Sequence, residues 1–363
     1  MRDSLRLYRK MLAEMKEFLP DERITRVRNM ALVVTGLFLA ESVHLSAVAK
    51  KLPLSGRLAS LANRLRRFLK NPRVEVGRFY RPVAQVLLGS FEPWQEVRLL
   101  LDTTKVGFDH RVLTVSLAYR SRALPLCWSV HSGRKGHLTV GKQIRLLRRV
   151  RDLLEETVPE ECAVWVMGDS EFGRVEVFRW LKNQGWHYVL RASGQNKICW
   201  KGQWRKLGTL PLEEGQTKEV GPVRFTEKHD YQKARLIMQW AEGEDEPWYL
   251  LSDQPVGRPT LRRYEKRMWT EEMYGDLKDH GMEVETTNLV HVGRIDRLML
   301  GVCWTYVWLL VLGSYVVKRG WRSMVDRKSR RDKSYFRIGL DFVGRCLSRG
   351  DPLRVHLRPY FRK

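Results

Sequence analysis

The sequence predicts an α/β protein in which helices flank a mixed β-sheet and a helical region comes first. Two observations support this fold class. Between residues 97 and 192, short apolar or alternating segments typical of strands are interspersed with segments that have the apolar period of a helix. Apolar residues make up 43% of the 363 residues, so the chain can bury a large core and is not disordered in composition.

Residues 1–90 are predicted to form a helical N-terminal DNA-binding domain. Residues 4–18 and 23–50 repeat apolar positions at spacings of three and four, as helices do. The segment 44–72 resembles a helix-turn-helix, with a short apolar helix, a break rich in Pro, Ser and Gly, and then a basic helix. This basic helix either binds DNA or is an ordinary exposed helix. We favour DNA binding, by Arg57, Arg64, Arg66, Arg67 and Lys70.

Residues 91–193 contain seven predicted elements in the order β-β-β-α-β-α-β, which is the order of a ribonuclease H-like fold. The predicted strands are 97–102, 111–120, 123–131, 162–169 and 187–192, and the predicted helices are 141–158 and 173–184. Residues 194–256 have several Gly breaks and little helical period, and we interpret them as a β-rich insertion. The second part of the core, 257–320, begins with a long helix at about 257–281, and a basic C-terminal segment follows at 321–363.

One segment, residues 298–317, runs for 20 positions without a charged residue. That length is sufficient for a transmembrane helix. The segment also contains Gly301, Thr305, Gly313 and Ser314, and the rest of the chain offers no partner span. We predict a helix buried between the sheet and other helices, without membrane contact; a membrane protein built around this segment is the alternative.

Charge is concentrated at the two ends of the chain, whose formal net charge is +25. Residues 1–90 hold 18 Lys or Arg against 7 Asp or Glu, and residues 318–363 hold 15 against 4, whereas the region between them is nearly neutral. This distribution favours a polyanionic partner such as nucleic acid. The five cysteines form no CxxC pair and the charged N-terminus has no signal-peptide core, so we expect a cytoplasmic protein without disulfides or a zinc finger.

Two acids close buried apolar runs. Asp102 ends VRLLLD and Asp169 ends CAVWVMGD. If these strands are neighbours, the two carboxylates point to one place, and a divalent cation would relieve their repulsion. The alternative is that each residue merely caps a turn. His131 and His137, six residues apart, are a weaker metal-site candidate, because no Cys or Asp lies beside them at ligand spacing.

A third acid lies on a predicted helix. Tyr264, Arg267, Glu271 and Lys278 follow one another at spacings of 3, 4 and 7, which places them within about 60° on one helix face. An acid between two cations suits a site that handles phosphate, because cations bind phosphate oxygens by charge-assisted hydrogen bonds. The alternative is an exposed helix with an ordinary Arg267–Glu271 ion pair.

At these residues the chain resembles the IS4-type bacterial insertion-sequence transposases. The signature Y-x2-R-x3-E-x6-K is matched without a gap, LLLDTT and MGDSEFG resemble the two Asp motifs, and DKSYFRIGLDFVGRCL resembles the family's tail segment. The resemblance covers roughly residues 60–350. It implies a DDE transposase in which Asp102, Asp169 and Glu271 are catalytic and hold two Mg²⁺ ions, for which Mn²⁺ can substitute.

The resemblance also implies partners and a reaction. Transposon ends are cleaved by hydrolysis and their 3′-hydroxyls are joined to target DNA, with Tyr264, Arg267 and Lys278 at the DNA phosphate. A homodimer is expected on double-stranded DNA, since two ends must be brought together, and a nucleoid-associated location follows. Similar transposases stack a flipped base on a Trp of the insertion; Trp200, Trp204, Trp240 and Trp248 are candidates, none of them assigned. The alternatives are a metal-dependent nuclease or resolvase of the same fold, or a non-catalytic DNA-binding relic.

Overall fold

The computed structural model describes residues 2–89, 91–93, 95–133, 136 and 138–360. The helices within these residues are α1 (Arg2–Phe18), α2 (Ile24–Ala40), α3 (Leu45–Lys51), α4 (Leu58–Lys70), α5 (Val76–Leu88), α6 (Val140–Thr157), α7 (Val175–Asn183), α8 (Arg258–Tyr264), α9 (Met268–Leu277), α10 (Val292–Lys318) and α11 (Tyr335–Arg349). The strands are β1 (Glu96–Val106), β2 (His110–Tyr119), β3 (Arg122–Ser132), β4 (Ala163–Gly168), β5 (His187–Ala192), β6 (Lys197–Trp200), β7 (Gln203–Lys206), β8 (Thr217–Phe225), β9 (Tyr231–Gln239) and β10 (Trp248–Ser252).

The strands form one mixed sheet in the order β3-β2-β1-β4-β5-β10-β9-β8-β6-β7. β4 is parallel to both β1 and β5, and the other neighbouring pairs are antiparallel. The prediction of a mixed sheet flanked by helices is confirmed, and its first five strands fit a ribonuclease H-like core. All seven elements predicted between residues 91 and 193 are present.

The β-rich segment 194–256 extends the core sheet. Its last strand, β10, lies antiparallel to β5, with Tyr249 opposite Ala192 and Ser252 opposite Val189. β9 and β8 then continue the sheet outward. α8 begins shortly after β10, so the helical segment that carries the third acid follows directly on this extension of the sheet.

The N-terminal region differs from the prediction in one respect. The predicted helix 23–50 is wrong, because the structure has two helices, α2 and α3, whose axes differ by 96°. Glu41 ends α2 in the left-handed conformation, with φ of 46°. The chain is then held in its new direction by a hydrogen bond from the Val43 backbone N–H to the Met282 carbonyl, at 2.9 Å. The helix-break-helix arrangement of residues 44–72 is present as α3 and α4.

The long apolar segment forms α10, which is buried as predicted. Of its most apolar window, 89% is buried inside the protein, where α10 packs against β3, α2 and α11. The glycines explain part of this packing: a Cβ at Gly313 would collide with the Tyr335 carbonyl, and one at Gly339 with the Leu309 carbonyl. The backbones of α10 and α11 therefore lie in direct contact. The absence of membrane contact stays a prediction.

A single hydrophobic core joins the N-terminal helices to the sheet and to the C-terminal helix. Leu7 of α1, Val34 of α2, Leu100 of β1 and Phe336 of α11 all belong to one buried cluster. All five cysteines are free, as predicted, and four of them are buried. The helices at both ends of the chain thus share one core with the sheet.

The predicted long helix at 257–281 is interrupted. α8 and α9 are separated by a 3-10 turn, Glu265–Arg267, and α9 runs into a π-helical turn, Lys278–Met282. Tight packing accompanies the π turn, since a Cβ at Gly281 would lie 2.6 Å from the Asp276 carbonyl oxygen and 2.7 Å from the Phe336 ring. The segment therefore does not keep the regular rotation of 100° per residue that the sequence analysis assumed from Tyr264 to Lys278.

Candidate active site

Asp102 and Asp169 lie at the point in the interior of the sheet where the parallel pairing of β1 with β4 ends. β1 and β4 are parallel neighbours, and Leu101 is paired with Gly168, so each Asp occupies the position after that pair. The predicted end of the first strand at residue 102 is wrong, because β1 runs on to Val106 and Asp102 is paired with Thr114 of β2. The two parallel strands nevertheless bring the two carboxylates together, as expected for neighbouring strands.

Asp102 is almost fully buried, and both of its carboxylate oxygens accept hydrogen bonds. Oδ1 accepts from the Thr103 backbone N–H at 2.8 Å, and Oδ2 accepts from the Thr270 hydroxyl at 2.6 Å. Burial raises the pKa of Asp102 to about 6, with the nearby Asp169 charge acting in the same direction and the Thr270 and Arg267 contacts opposing it. The site thus disfavours negative charge on Asp102 unless a further cation is present.

Asp169 begins a tight turn between β4 and α7. Its Oδ1 accepts from the Glu171 backbone N–H at 2.9 Å, and its carbonyl accepts from the Phe172 N–H at 3.1 Å. The turn passes close to β5, because a Cβ at Gly173 would lie 2.3 Å from the Arg191 carbonyl oxygen. Asp169 therefore caps its turn, and this role leaves its second carboxylate oxygen for a further partner.

Glu271, on α9, is linked to Asp102 through Arg267. Its side chain is 49% exposed and accepts a hydrogen bond from Arg267 Nη2 at 2.6 Å. The other guanidinium nitrogen, Nη1, lies 3.9 Å from Asp102 Oδ2. The Arg267–Glu271 ion pair anticipated as an alternative is present, but the same guanidinium also reaches Asp102.

Tyr264 lies behind Arg267 and is only 1% exposed. Burial raises its pKa to about 12. Within the described part of the chain, neither its hydroxyl nor Arg267 Nε has a hydrogen-bond partner, although both are buried. Trp248 of β10 packs edge-to-face on the Tyr264 ring, with centroids 4.9 Å apart. Two buried polar groups without partners therefore lie beside the acids.

Lys278, the last residue of the sequence signature, is not brought into contact with the acids. It opens the π turn, and its ammonium pairs with Glu285 at 2.5 Å. The structure thus groups Tyr264, Arg267 and Glu271 with Asp102, and places Lys278 about two turns beyond Glu271, at an ion pair of its own.

These residues all fall within a segment that matches a known family. The sequence model of the transposase DDE domain matches residues 101–308, which is more than half of the chain. The chain belongs to this family. No curated protein sequence matches it.

Transposases of this family generally use divalent metal ions, and the acids fit such ions in part. Carboxylate oxygens are the ligands that Mg²⁺ prefers, and two adjacent carboxylates with a raised pKa at Asp102 favour a cation. Among the residues that the structure describes, however, no three His, Cys, Asp or Glu form a ready metal cluster. Glu271 is bound to Arg267 instead, so it has to leave that ion pair to join the two Asp residues.

Sequence reasoning missed two positions that hold the candidate site together. The Thr270 hydroxyl joins the Asp102 carboxylate to the helical segment, and it also lies 2.7 Å from the Arg267 carbonyl. Arg122, at the start of β3, contacts Asp276 at 2.8 Å and Glu272 at 3.0 Å, both on α9. No sequence pattern marks these pairs, since their members are 150 or more residues apart; the one available signal is that Thr270 immediately precedes Glu271.

The predicted DNA-binding cations lie on the exposed side of α4. Its apolar side is buried by Ala62, Leu65, Phe68 and Leu69. Among the described residues no acid pairs with any of the predicted cations, which are all exposed: Arg57, Arg64, Arg66, Arg67 and Lys70. Arg64 and Arg66 instead donate to the side-chain oxygens of neighbouring asparagines.

The remaining sequence candidates lie elsewhere or outside the description. Trp200 and Trp204 are half-buried on the outer strands β6 and β7, and Trp240 is half-buried just after β9. Trp248 packs on Tyr264 of the signature. Of the two histidines, His131 hydrogen-bonds Ser129, and His137 lies outside the described residues.

Proposed function

We propose that this transposase is of the IS4 type and moves an insertion sequence by cut-and-paste transposition. In this reaction the enzyme binds the ends of the element, hydrolyses the strands to free 3′-hydroxyls, and joins these to target DNA by transesterification. The observation that carries the proposal is that Asp102 and Asp169 follow the last residue pair of the parallel strands β1 and β4, and that Glu271 is linked to Asp102 through Arg267.

We assign Asp102, Asp169 and Glu271 as the catalytic carboxylates and as the ligands of two Mg²⁺ ions, or Mn²⁺ in their place. When bound, such ions activate water or a 3′-hydroxyl and stabilise the leaving oxygen. The protein contributes preorganisation: the Thr103 N–H and the Thr270 hydroxyl orient the Asp102 carboxylate, and the turn after β4 orients Asp169.

Arg267 and Tyr264 are assigned to the scissile phosphate. A divalent cation at the acids would repel the Arg267 guanidinium, and the side chain would then be free to bind a phosphate oxygen. Its unpaired Nε and the unpaired Tyr264 hydroxyl are donors that a phosphate can satisfy. Lys278 is assigned to a phosphate further along the strand, after release from Glu285.

DNA binding is assigned to residues 1–90, with Arg57, Arg64, Arg66, Arg67 and Lys70 of the α4 region facing the duplex. Their exposure and lack of acidic partners support this role. Because two ends are joined in one event, we expect a homodimer on DNA. The strong positive charge of the chain supports a cytoplasmic, nucleoid-associated protein.

A strand-transfer assay tests the proposal. Purified protein is mixed with Mg²⁺, a plasmid target and a labelled duplex that carries the terminal sequence of the element, and Glu271→Gln is the control. We expect joined product with the wild type and none with the control. Cleavage without joining would instead identify a nuclease, and binding with neither reaction would identify a DNA-binding relic.

A further inference from the structure

One loop of the C-terminal region is densely charged. Residues 327–333, hereafter the basic loop, connect a 3-10 turn to α11 and contain five Lys or Arg and one Asp. Four of its cations are exposed: Arg327, Lys328, Arg330 and Arg331. Arg330 pairs with Asp332 at 2.8 Å, but within the described part of the chain no acid pairs with the other three. Their mutual repulsion would be relieved by a polyanion.

The base of the basic loop is closed by hydrogen bonds. Lys333 donates to the Val325 carbonyl on the other side of the loop and pairs with Asp341 of α11 at 2.7 Å. Just before the loop, the buried Asp326 side chain accepts from Arg322 at 2.6 Å and from the Arg327 backbone N–H at 2.9 Å. The loop is therefore anchored before any ligand arrives, which lowers the entropy lost when one binds.

The end of the basic loop lies beside the proposed catalytic helix. Asp332, Lys333 and the next residue, Ser334, line a cavity of about 880 Å³ whose other wall includes Glu271 and Glu272 of α9. The Ser334 hydroxyl also donates to the buried Asp276 of α9 at 3.2 Å. The loop that carries the exposed cations thus borders the cavity that Glu271 also lines.

We infer that the basic loop binds the phosphate backbone of DNA on the Glu272 side of Glu271, away from Tyr264 and Arg267. This inference rests on the proposed function, which brings DNA to Glu271. The cavity is lined by six acids and three cations, and Arg122 and Arg337 already pair with lining acids. The excess of acids would repel phosphates by itself. Neighbouring cations offset that repulsion and hold the strand where it leaves the cleavage site. The DNA is either the element end or the target, and both present the same backbone.

A matched pair of triple variants tests the inference. The loop triple is Arg327→Ala, Lys328→Ala and Arg331→Ala. The control removes the same charge from exposed lysines near the far edge of the sheet: Lys206→Ala, Lys228→Ala and Lys233→Ala. A charge-conserving double variant, Arg327→Lys with Arg331→Lys, separates charge from shape. Thermal unfolding should be the same as for the wild type in all three, because the replaced side chains are exposed.

Binding is measured over a salt series, without divalent metal, for two probes: the duplex with the terminal sequence and a plasmid without it. For the loop triple we expect the slope of log Kd against log salt to fall by about two to three, while the charge-conserving variant keeps the wild-type slope. If the slope changes for the duplex alone, the loop binds the element end; if it changes for the plasmid alone, the loop binds the target. A change for both probes identifies a backbone contact shared by the two DNAs. Slopes equal to those of the lysine control for both probes would overturn the inference. Failure of the wild type to cleave or join would count against the proposed function and leave this binding result intact.

Discussion

The sheet with Asp102 and Asp169 and the helical segment with Glu271 hold their acids in contrasting ways. Asp102 is buried and hydrogen-bonded through both oxygens, and its neighbour caps a tight turn. Glu271 is half-exposed on α9, which lies between a 3-10 turn and a π turn, and its contact is with a side chain one turn away. One part of the site is built into the sheet, and the other can be repositioned by breaking a single ion pair.

This difference suggests how the site can be assembled. The two Asp residues form a fixed half, whose raised Asp102 pKa favours the arrival of a cation. The helical half carries both the third acid and the cation that now neutralises it. Exchange of the Arg267 guanidinium for metal would release Arg267 and Glu271 together, so that metal binding and phosphate binding would be coupled. Helix irregularities such as the π turn are common at functional sites.

The largest effect is expected for Asp102→Asn, which alters the sheet half of the site, and Glu271→Gln, which alters the helical half. Each variant should lower the rate of strand cleavage by at least about a thousandfold, more than the loss of a single transition-state donor. Their stabilities should differ. Asn at 102 removes a buried charge, so its melting temperature at neutral pH should exceed that of the wild type, whereas Gln at the exposed position 271 should not raise it. Cleavage assays and thermal unfolding measure both effects.

The pH dependence provides the control for this contrast. The pKa of Asp102 rises from 3.8 to about 6 on folding, so the native state binds the proton more tightly and stability is lost as the pH rises from about 4 to about 6. Above about pH 6, burial of the ionised Asp102 lowers the free energy of unfolding by roughly 3 kcal/mol. The stabilisation by Asp102→Asn should therefore be small near pH 4 and constant above about pH 6. A stabilisation that does not change with pH would show that burial of the Asp102 charge is not its cause.

Sequence patterns predicted the fixed half of the site from simple physics. A buried apolar run that ends in Asp must place that Asp where it has partners, and adjacent parallel strands bring two such residues together. The strand itself does not end there, since β1 runs on to Val106. The signature spacing placed Tyr264, Arg267 and Glu271 on one face, and the structure keeps these three close. The break of the predicted helix 23–50 was not predictable in this way, because residues 41–44 contain neither Gly nor Pro. A tertiary hydrogen bond to Met282 holds the turn.

An intermediate effect is expected at Thr270, which joins the two halves through its hydroxyl. Thr270→Val keeps the shape of this buried side chain but removes the donor to Asp102. The rate of cleavage should fall about ten- to a hundredfold, as for the loss of other groups that orient metal ligands. Without this donor the Asp102 pKa should rise further, so the pH–rate profile should move to higher pH. Thr270→Ser should restore both the rate and the profile, and a lower rate with an unmoved profile would make Thr270 a packing residue only.

The smallest effect on cleavage is expected at Arg122, which ties α9 to the sheet from the other side. Arg122→Gln removes the cation from the buried Asp276 and should cost about 2–4 kcal/mol of unfolding free energy. Because Glu271 keeps its own contacts, the maximal cleavage rate should change only a few-fold. A less firmly held α9 should instead raise the Mg²⁺ concentration needed for half-maximal cleavage. The double variant with Asp276→Asn should recover part of the lost stability, since no buried charge is then left without its cation. Equal Mg²⁺ dependence in wild type and Arg122→Gln would mean that the position of α9 does not depend on the Arg122–Asp276 ion pair. The contrast between a fixed and a movable half would then rest on the Arg267–Glu271 pair alone.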